Sequence, residues 1–272
     1  MRFRASVWWG VLSGILALLP VVPVCAASSS ATRLLDEAPL RGIRYTLPDA
    51  SWPNTLPPLC ALSRDLPLLK ASGGTAVLTE GAPPEEGDYI FLSVLASTQL
   101  AWVATYPLPQ DVDPTRSLLE QKESILARFR AFATRFQRNP SLRAVVLDFG
   151  SDNTVESALL APAFAAILAE HFPENPPMLG HAAYTPESLY NAPAGVDFWL
   201  YRFAGSVPSG PDRTLLAQRT RLSVIFDLSG IASQFVSSAP GSWQSFLNGF
   251  TAGAADTHLV AINLIGSREV MS

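Results

Sequence analysis

The feature that most constrains this chain is a rhythm. Eight short apolar runs, rich in Val, Ile, Leu and aromatics, alternate with segments of helical periodicity. The runs are Gly42–Leu47, Thr75–Thr79, Leu100–Pro107, Leu142–Asp152, Pro177–Tyr184, Val196–Phe203, Leu222–Leu228 and His258–Ile265. The intervening segments predict helices over Leu59–Ser72, Tyr89–Thr98, Thr115–Phe136, Ser157–His171, Pro186–Ala192, Asp212–Thr220 and Ser242–Ala255. The clearest is Thr115–Phe136, where Leu118, Leu119, Ile125, Phe129, Phe132 and Phe136 form one broad face. Such alternation calls for βαβ units and a parallel sheet.

Eight strands and seven helices in about 230 residues match the count of a (β/α)8 barrel, which typically takes about 250. The competing doubly wound sheet places a glycine-rich loop after its first strand, and Thr46-Leu47-Pro48-Asp49 is nothing like one. The expected fold is therefore α/β, a compact TIM barrel with a short or missing last helix. No repeat or low-complexity linker divides residues 28–272, which read as a single domain.

Composition narrows the function classes. With 48% hydrophobic and 15% charged residues in 272, the chain is too apolar to be disordered and long enough to build a core without staples. A net charge of −4 argues against nucleic acid, whose binders carry a basic stripe. Two cysteines, Cys25 and Cys60, exclude a disulfide scaffold or a cysteine-rich zinc module. His171, His181 and His258 show no paired spacing, so neither a metal nor another cofactor is expected.

Residues 1–27 have the layout of a secretory signal peptide. Arg2 and Arg4 precede an uncharged apolar stretch from Val7 to Val24, and small residues follow. A retained membrane anchor is the competing reading, because the stretch approaches the roughly 20 residues of a spanning helix. Pro20 and Pro23 favour cleavage. The expected product is secreted or periplasmic, with no membrane contact after cleavage and Cys60 as a free, buried thiol.

In a TIM barrel the chemistry sits at the C-terminal ends of the strands. The fourth run ends in Asp148-Phe149-Gly150-Ser151-Asp152, and the seventh in Phe226-Asp227-Leu228-Ser229. Each brings a carboxylate to the same rim, and two carboxylates are what glycosidic cleavage requires. The alternative for both is helix or loop capping.

Several segments resemble the β-1,3-glucanosyltransferase type of clan A glycoside hydrolases. Gly42-Ile43-Arg44-Tyr45 is similar to that family's "GVDYQ" strand, and Cys60 to Lys70 to its "C-x-R-D-I-P-L-L-K" helix. Asp148–Asp152 resembles the fourth strand ending "GNE", and Gly180-His181-Ala182-Ala183 the "GYSAA" strand. Val196–Trp199, Val224–Asp227 and Leu259–Asn263 resemble the sixth, seventh and eighth strands. The resemblance implies a carbohydrate substrate or ligand, with Asp152 as acid/base and Asp227 as nucleophile or base. Tyr45, Tyr106, Tyr184 and Tyr201 lie near strand ends, where rings stack on sugars, and His181 is placed to orient a carboxylate or hydroxyl. Core or rim packing is the alternative for each.

The departures from the family bear on activity. Both catalytic glutamates are replaced by aspartates, the second-strand arginine is absent from Ala76–Glu80, and the eighth-strand aromatic is Leu264. Retaining enzymes hold their carboxyls about 5–5.5 Å apart and inverting ones about 6.5–9.5 Å. Each Glu→Asp shortening withdraws a carboxyl by about 1.5 Å. An unchanged frame then implies inverting hydrolysis or no catalysis. Asp148 lies on the same inward face as Asp152, and Arg44 is expected to pair with it structurally. Two functions remain: an exported glycoside hydrolase-like enzyme acting on β-glucan-like polysaccharide, or a silent barrel that binds glycan or protein. A mouth plugged by side chains, or Asp227 locked in a salt bridge, points to the second.

Overall fold

The computed structural model describes residues 34–35, 40–45, 59–83, 88–109, 111–150, 154–190, 192–203, 216, 218–229 and 258–263. The chain divides into two compact units, Met1–Ala31 and Thr32–Ser272, and all described residues belong to the second. The signal-peptide segment, Asp152, the predicted helix Ser242–Ala255, the region of the last helix and the Cys60 side chain lie outside the described residues.

Eight parallel strands close into a barrel in sequence order, with β1 hydrogen-bonded to β8. They are β1 (Arg41–Arg44), β2 (Ala76–Glu80), β3 (Ala101–Pro107), β4 (Leu142–Asp148), β5 (Met178–Ala183), β6 (Phe198–Arg202), β7 (Ser223–Asp227) and β8 (His258–Asn263). Four α-helices are described: α1 (Leu59–Ala71), α2 (Asp88–Thr98), α3 (Lys122–Phe136) and α4 (Thr154–His171). A 3-10 turn over Pro186–Leu189 stands where a fifth helix is expected.

The period of two in a strand sorts every side chain to one side of the barrel wall. Ala76, Leu78, Val103, Ala144, Val146, Met178, Ala182, Phe198, Leu200 and Ile225 fill the interior. Their odd-step neighbours, among them Val77, Trp102, Ala104, Val145 and Leu147, face outward and meet Leu62, Leu66, Phe91, Leu95, Phe129 and Phe164 from the helices. Trp102 is held edge-on by Phe91 and Phe136, and its indole N–H donates to Thr79 Oγ1 at 2.8 Å. Two apolar layers, one inside the wall and one outside, thus hold the rim in place.

Several expected boundaries move, three of them with a visible local cause or consequence. The helix expected from Thr115 begins at Lys122. Ahead of it, Asp113 Oδ1 accepts from the Thr115 N–H and Glu156 Oε2 from the Leu118 N–H, and these local bonds favour turns over helix. β4 ends at Asp148 rather than Asp152, with Gly150 at φ +82° just beyond. The helix expected over Pro186–Ala192 shrinks to its first four residues.

Candidate functional site

Parity carries charge to the barrel mouth. The last inward positions of the strands are Arg44 on β1, Glu80 on β2, Asp148 on β4, Arg202 on β6 and Asp227 on β7, with Tyr184 immediately after β5. Arg202 and Asp227 are register partners on neighbouring strands.

These groups form one network. Arg44 is ion-paired with Glu80, and its Nη1 lies 3.9 Å from Asp227 Oδ2. Arg202 Nη2 stands 2.7 Å from Asp148 Oδ2, its Nε 3.5 Å from Asp227 Oδ2, and its Nη1 3.8 Å from Glu80 Oε1. The Tyr184 hydroxyl donates to Asp148 Oδ1. Asp227 Oδ1 accepts from the Ser229 N–H at 3.0 Å and from Ser229 Oγ at 2.5 Å, and Arg44 Nη1 reaches Ser229 Oγ at 3.2 Å. The Asp227 side chain is 1% exposed and that of Asp148 8%. Asp227 Oδ2 and Arg202 Nε are both buried without a hydrogen-bond partner, side by side.

Burial lowers the Arg44 guanidinium below its ordinary value, and the neighbouring Arg202 adds to the effect. Burial raises the Tyr184 phenol, and the adjacent Asp148 charge raises it further. The phenol is therefore a donor throughout the neutral range.

Of the residues singled out from sequence, Asp227, Tyr184, Asp148 and Arg44 reach the mouth together, and Asp152 lies outside the described residues. Tyr45, Tyr106, Tyr201 and His181 face away from it. Tyr45 is buried in the outer layer, with its hydroxyl 3.5 Å from Asp65 of α1. Tyr106 packs edge-on against Phe129 and Phe164 of the helices. Tyr201 packs against Phe203 and Phe226 outside the wall. His181 is enclosed between α4 and β6, against Ser157 Oγ at 2.7 Å and the Trp199 ring. The physical reason is alternation: each sits one residue out of step with the inward set, so its ring serves the helix layer. The Arg44–Asp148 pairing expected from sequence is also corrected. Arg44 pairs with Glu80 on the adjacent strand, while Asp148 is taken by Arg202 and Tyr184.

Glu80 and Arg202 were missed by the sequence reading. The signal existed: counting by twos along β2 and β6 from the buried Leu78 and Leu200 lands on them. Among the described residues no three His, Cys, Asp or Glu side chains converge as a metal would need.

His181 gives a pH test. Burial depresses its pKa below the ordinary value. As pH falls, the unfolded chain takes up this proton first, so the folded state loses stability below about pH 6.5 and has it in full above. Urea midpoints at pH 7.5 and 5.5 should therefore separate more for wild type than for His181→Gln. Equal separations would show that His181 carries none of the acid lability.

The sequence matches no family model and no curated protein. Solved structures do resemble the chain. One is the GH2 β-galacturonidase of Eisenbergiella tayi bound to galacturonate, with TM-score 0.58 and 13% identity, covering 82% of this chain and 44% of that one. Another is Gas2p of Saccharomyces cerevisiae in complex with laminaritetraose and laminaripentaose, with TM-score 0.55 and 16% identity over 83% and 56% of the two chains. A third is the N-acetylmannosamine-6-phosphate 2-epimerase of Clostridium perfringens, with TM-score 0.50 and 14% identity over 85% and 91%. This chain thus spans less than two thirds of the β-galacturonidase and of Gas2p. At these identities the likeness is one of fold: the chain carries the (β/α)8 barrel that glycoside hydrolases share with at least one epimerase.

Proposed function

We propose that this chain is an exported, catalytically silent relative of the glycoside-hydrolase barrels that holds a polysaccharide of the β-glucan kind at its mouth. One observation carries the reading: the β7 carboxylate, Asp227, is buried and clamped rather than presented. One oxygen is occupied by Ser229, and the other is enclosed by two guanidiniums. A nucleophile must come within about 3–3.5 Å of the reacting carbon. At 1% exposure Asp227 Oδ2 reaches no sugar carbon while Arg202 stays in place.

Binding is supported by the more open members of the same network. The Glu80 side chain is 43% exposed, and those of Arg202 and Arg44 are 16% and 13% exposed, so one acceptor and two donors remain open to solvent. Hydroxyl groups pair with both kinds. Polyhydroxylated ligands supply such groups, and the resemblance to glucan-acting barrels points to β-glucan.

Calorimetry with β-1,3-gluco-oligosaccharides, run beside a reducing-end assay, tests this. Binding without release of reducing ends is the expected result. Glu80→Gln should weaken binding about tenfold, the loss of one charged hydrogen bond. Reducing ends released by wild type, and abolished in both Asp152→Asn and Asp227→Asn, would overturn silence and restore the enzyme reading.

A further inference from the structure

A barrel of this type ordinarily follows each strand with a helix that covers its outer face. After β5 the chain makes only the 3-10 turn Pro186–Leu189 before returning to β6. A groove of about 620 Å3 is left beside α4. One wall is the α4 face bearing Val155, Leu159 and Pro162, and the other is the Pro193-Ala194 connection, with Trp199 between them. Val155 is 75% and Leu159 63% exposed, unusual for two large apolar side chains one helical turn apart. Gly195, at φ +81°, keeps the far wall close, since a Cβ there would lie 3.3 Å from the Pro162 backbone.

The groove is not an isolated patch. At its upper end it is lined by Tyr184, the residue whose hydroxyl donates to Asp148 in the mouth network. From Thr154 at the rim to Pro162 along α4 is about 12 Å at 1.5 Å per residue. Groove and mouth network thus meet at Tyr184, and the groove is apolar along α4 and Pro193-Ala194 and polar at Thr185, Glu187 and Ser188. Its volume lies within the range of small-molecule sites, roughly 300–1,000 Å3.

We propose that the groove binds the alkyl chain of an amphiphilic glycoside whose sugar occupies the mouth. The inference rests on the carbohydrate reading of the mouth and adds the ligand class, a glycolipid-like molecule rather than a free glycan. Val155 and Leu159 cover the chain, and Tyr184 marks the passage from sugar to alkyl.

The test titrates hexyl, octyl and decyl β-glucosides, below their micelle concentrations, into the full chain by calorimetry. Free β-1,3-gluco-oligosaccharide and n-octanol serve as comparisons. Each buried methylene should tighten binding about fourfold. Ala158→Trp fills the groove and should abolish that dependence while leaving oligosaccharide affinity unchanged. Leu159→Asp, at an exposed position that folding tolerates, should do the same. Equal affinity for hexyl and decyl glucoside overturns the proposal, as does a chain-length gain that survives both variants. A wild-type dimer abolished by Leu159→Asp overturns it too, assigning the groove to a second copy. If oligosaccharide binds and chain length has no effect, the groove fails and the mouth reading stands. If octanol binds as tightly as octyl glucoside and oligosaccharide does not bind, the mouth reading fails and takes the amphiphile with it.

Discussion

Replacing Arg202 by leucine should cost about 3–5 kcal/mol, the usual penalty for removing one member of a buried ion pair. Arg202 stands between Asp148, Asp227 and Glu80, and without it three carboxylates share the single guanidinium of Arg44. For a domain of this size each kcal/mol moves Tm by roughly 2–4 °C, so thermal unfolding should fall by on the order of 10 °C. The charge origin has its own signature. Acid should narrow the gap between Arg202→Leu and wild type, because protonating the stranded carboxylates removes their repulsion. The double variant Arg202→Leu/Asp148→Leu should lose less than the two single losses added together, since each group's cost arises from the other. A strictly additive double variant would mean the contact at 2.7 Å contributes nothing to stability.

Phe198→Ala should cost a comparable 3–5 kcal/mol through the cavity it leaves in the barrel interior. Phe198 is fully buried, and its strand neighbour in register is Gly180. A Cβ on Gly180 would lie 2.6 and 2.9 Å from Cε2 and Cε1 of that ring, closer than carbon atoms approach. The glycine is therefore required by the phenylalanine. Gly180→Ala alone should lose about 1–3 kcal/mol by overpacking. Combining it with Phe198→Leu, which shortens the obstructing side chain, should recover part of that loss. Urea denaturation of the four proteins reads out the cycle. If Gly180→Ala is as stable as wild type, the ring does not fill the space above β5.

The two predictions share a cause in barrel geometry. A closed parallel sheet puts alternate residues of every strand into one narrow cylinder, so a long side chain on one strand demands a small one beside it. At the rim the same alternation gathers charges from strands far apart in sequence.

All eight strands were legible because each interrupts the helical period with a short apolar run. The first four helices were equally readable, since each buries a face against the barrel wall. What periodicity did not show was where a helix yields to local hydrogen bonding. Thr115 to Gln121 carries good helical spacing, yet the Asp113 and Glu156 carboxylates take the backbone N–H groups of Thr115 and Leu118. The stretch after Tyr184 reads as a helix from Pro186, but only one 3-10 turn forms, and the flank groove follows from that shortfall.

The candidate site divides in the same way. Asp227 was readable from the rule that barrel chemistry sits at strand ends, and Tyr184 from its place just after a strand. Tyr45, Tyr106, Tyr201 and His181 satisfy the same rule by position along the strand but fail it by face. Nearness to a strand end is a one-dimensional property, and the mouth also requires the correct parity.

The sequence by itself determined the order and kind of the elements, the closed barrel they build and the carboxylate at the end of β7, because apolar periodicity is written locally. Only the tertiary structure decided which charges meet. Glu80, Asp148, Arg202 and Asp227 come together through the register of neighbouring strands and the curvature that closes the sheet. Those are properties of the assembled cylinder, and electrostatic pairing depends on distance in space rather than along the chain.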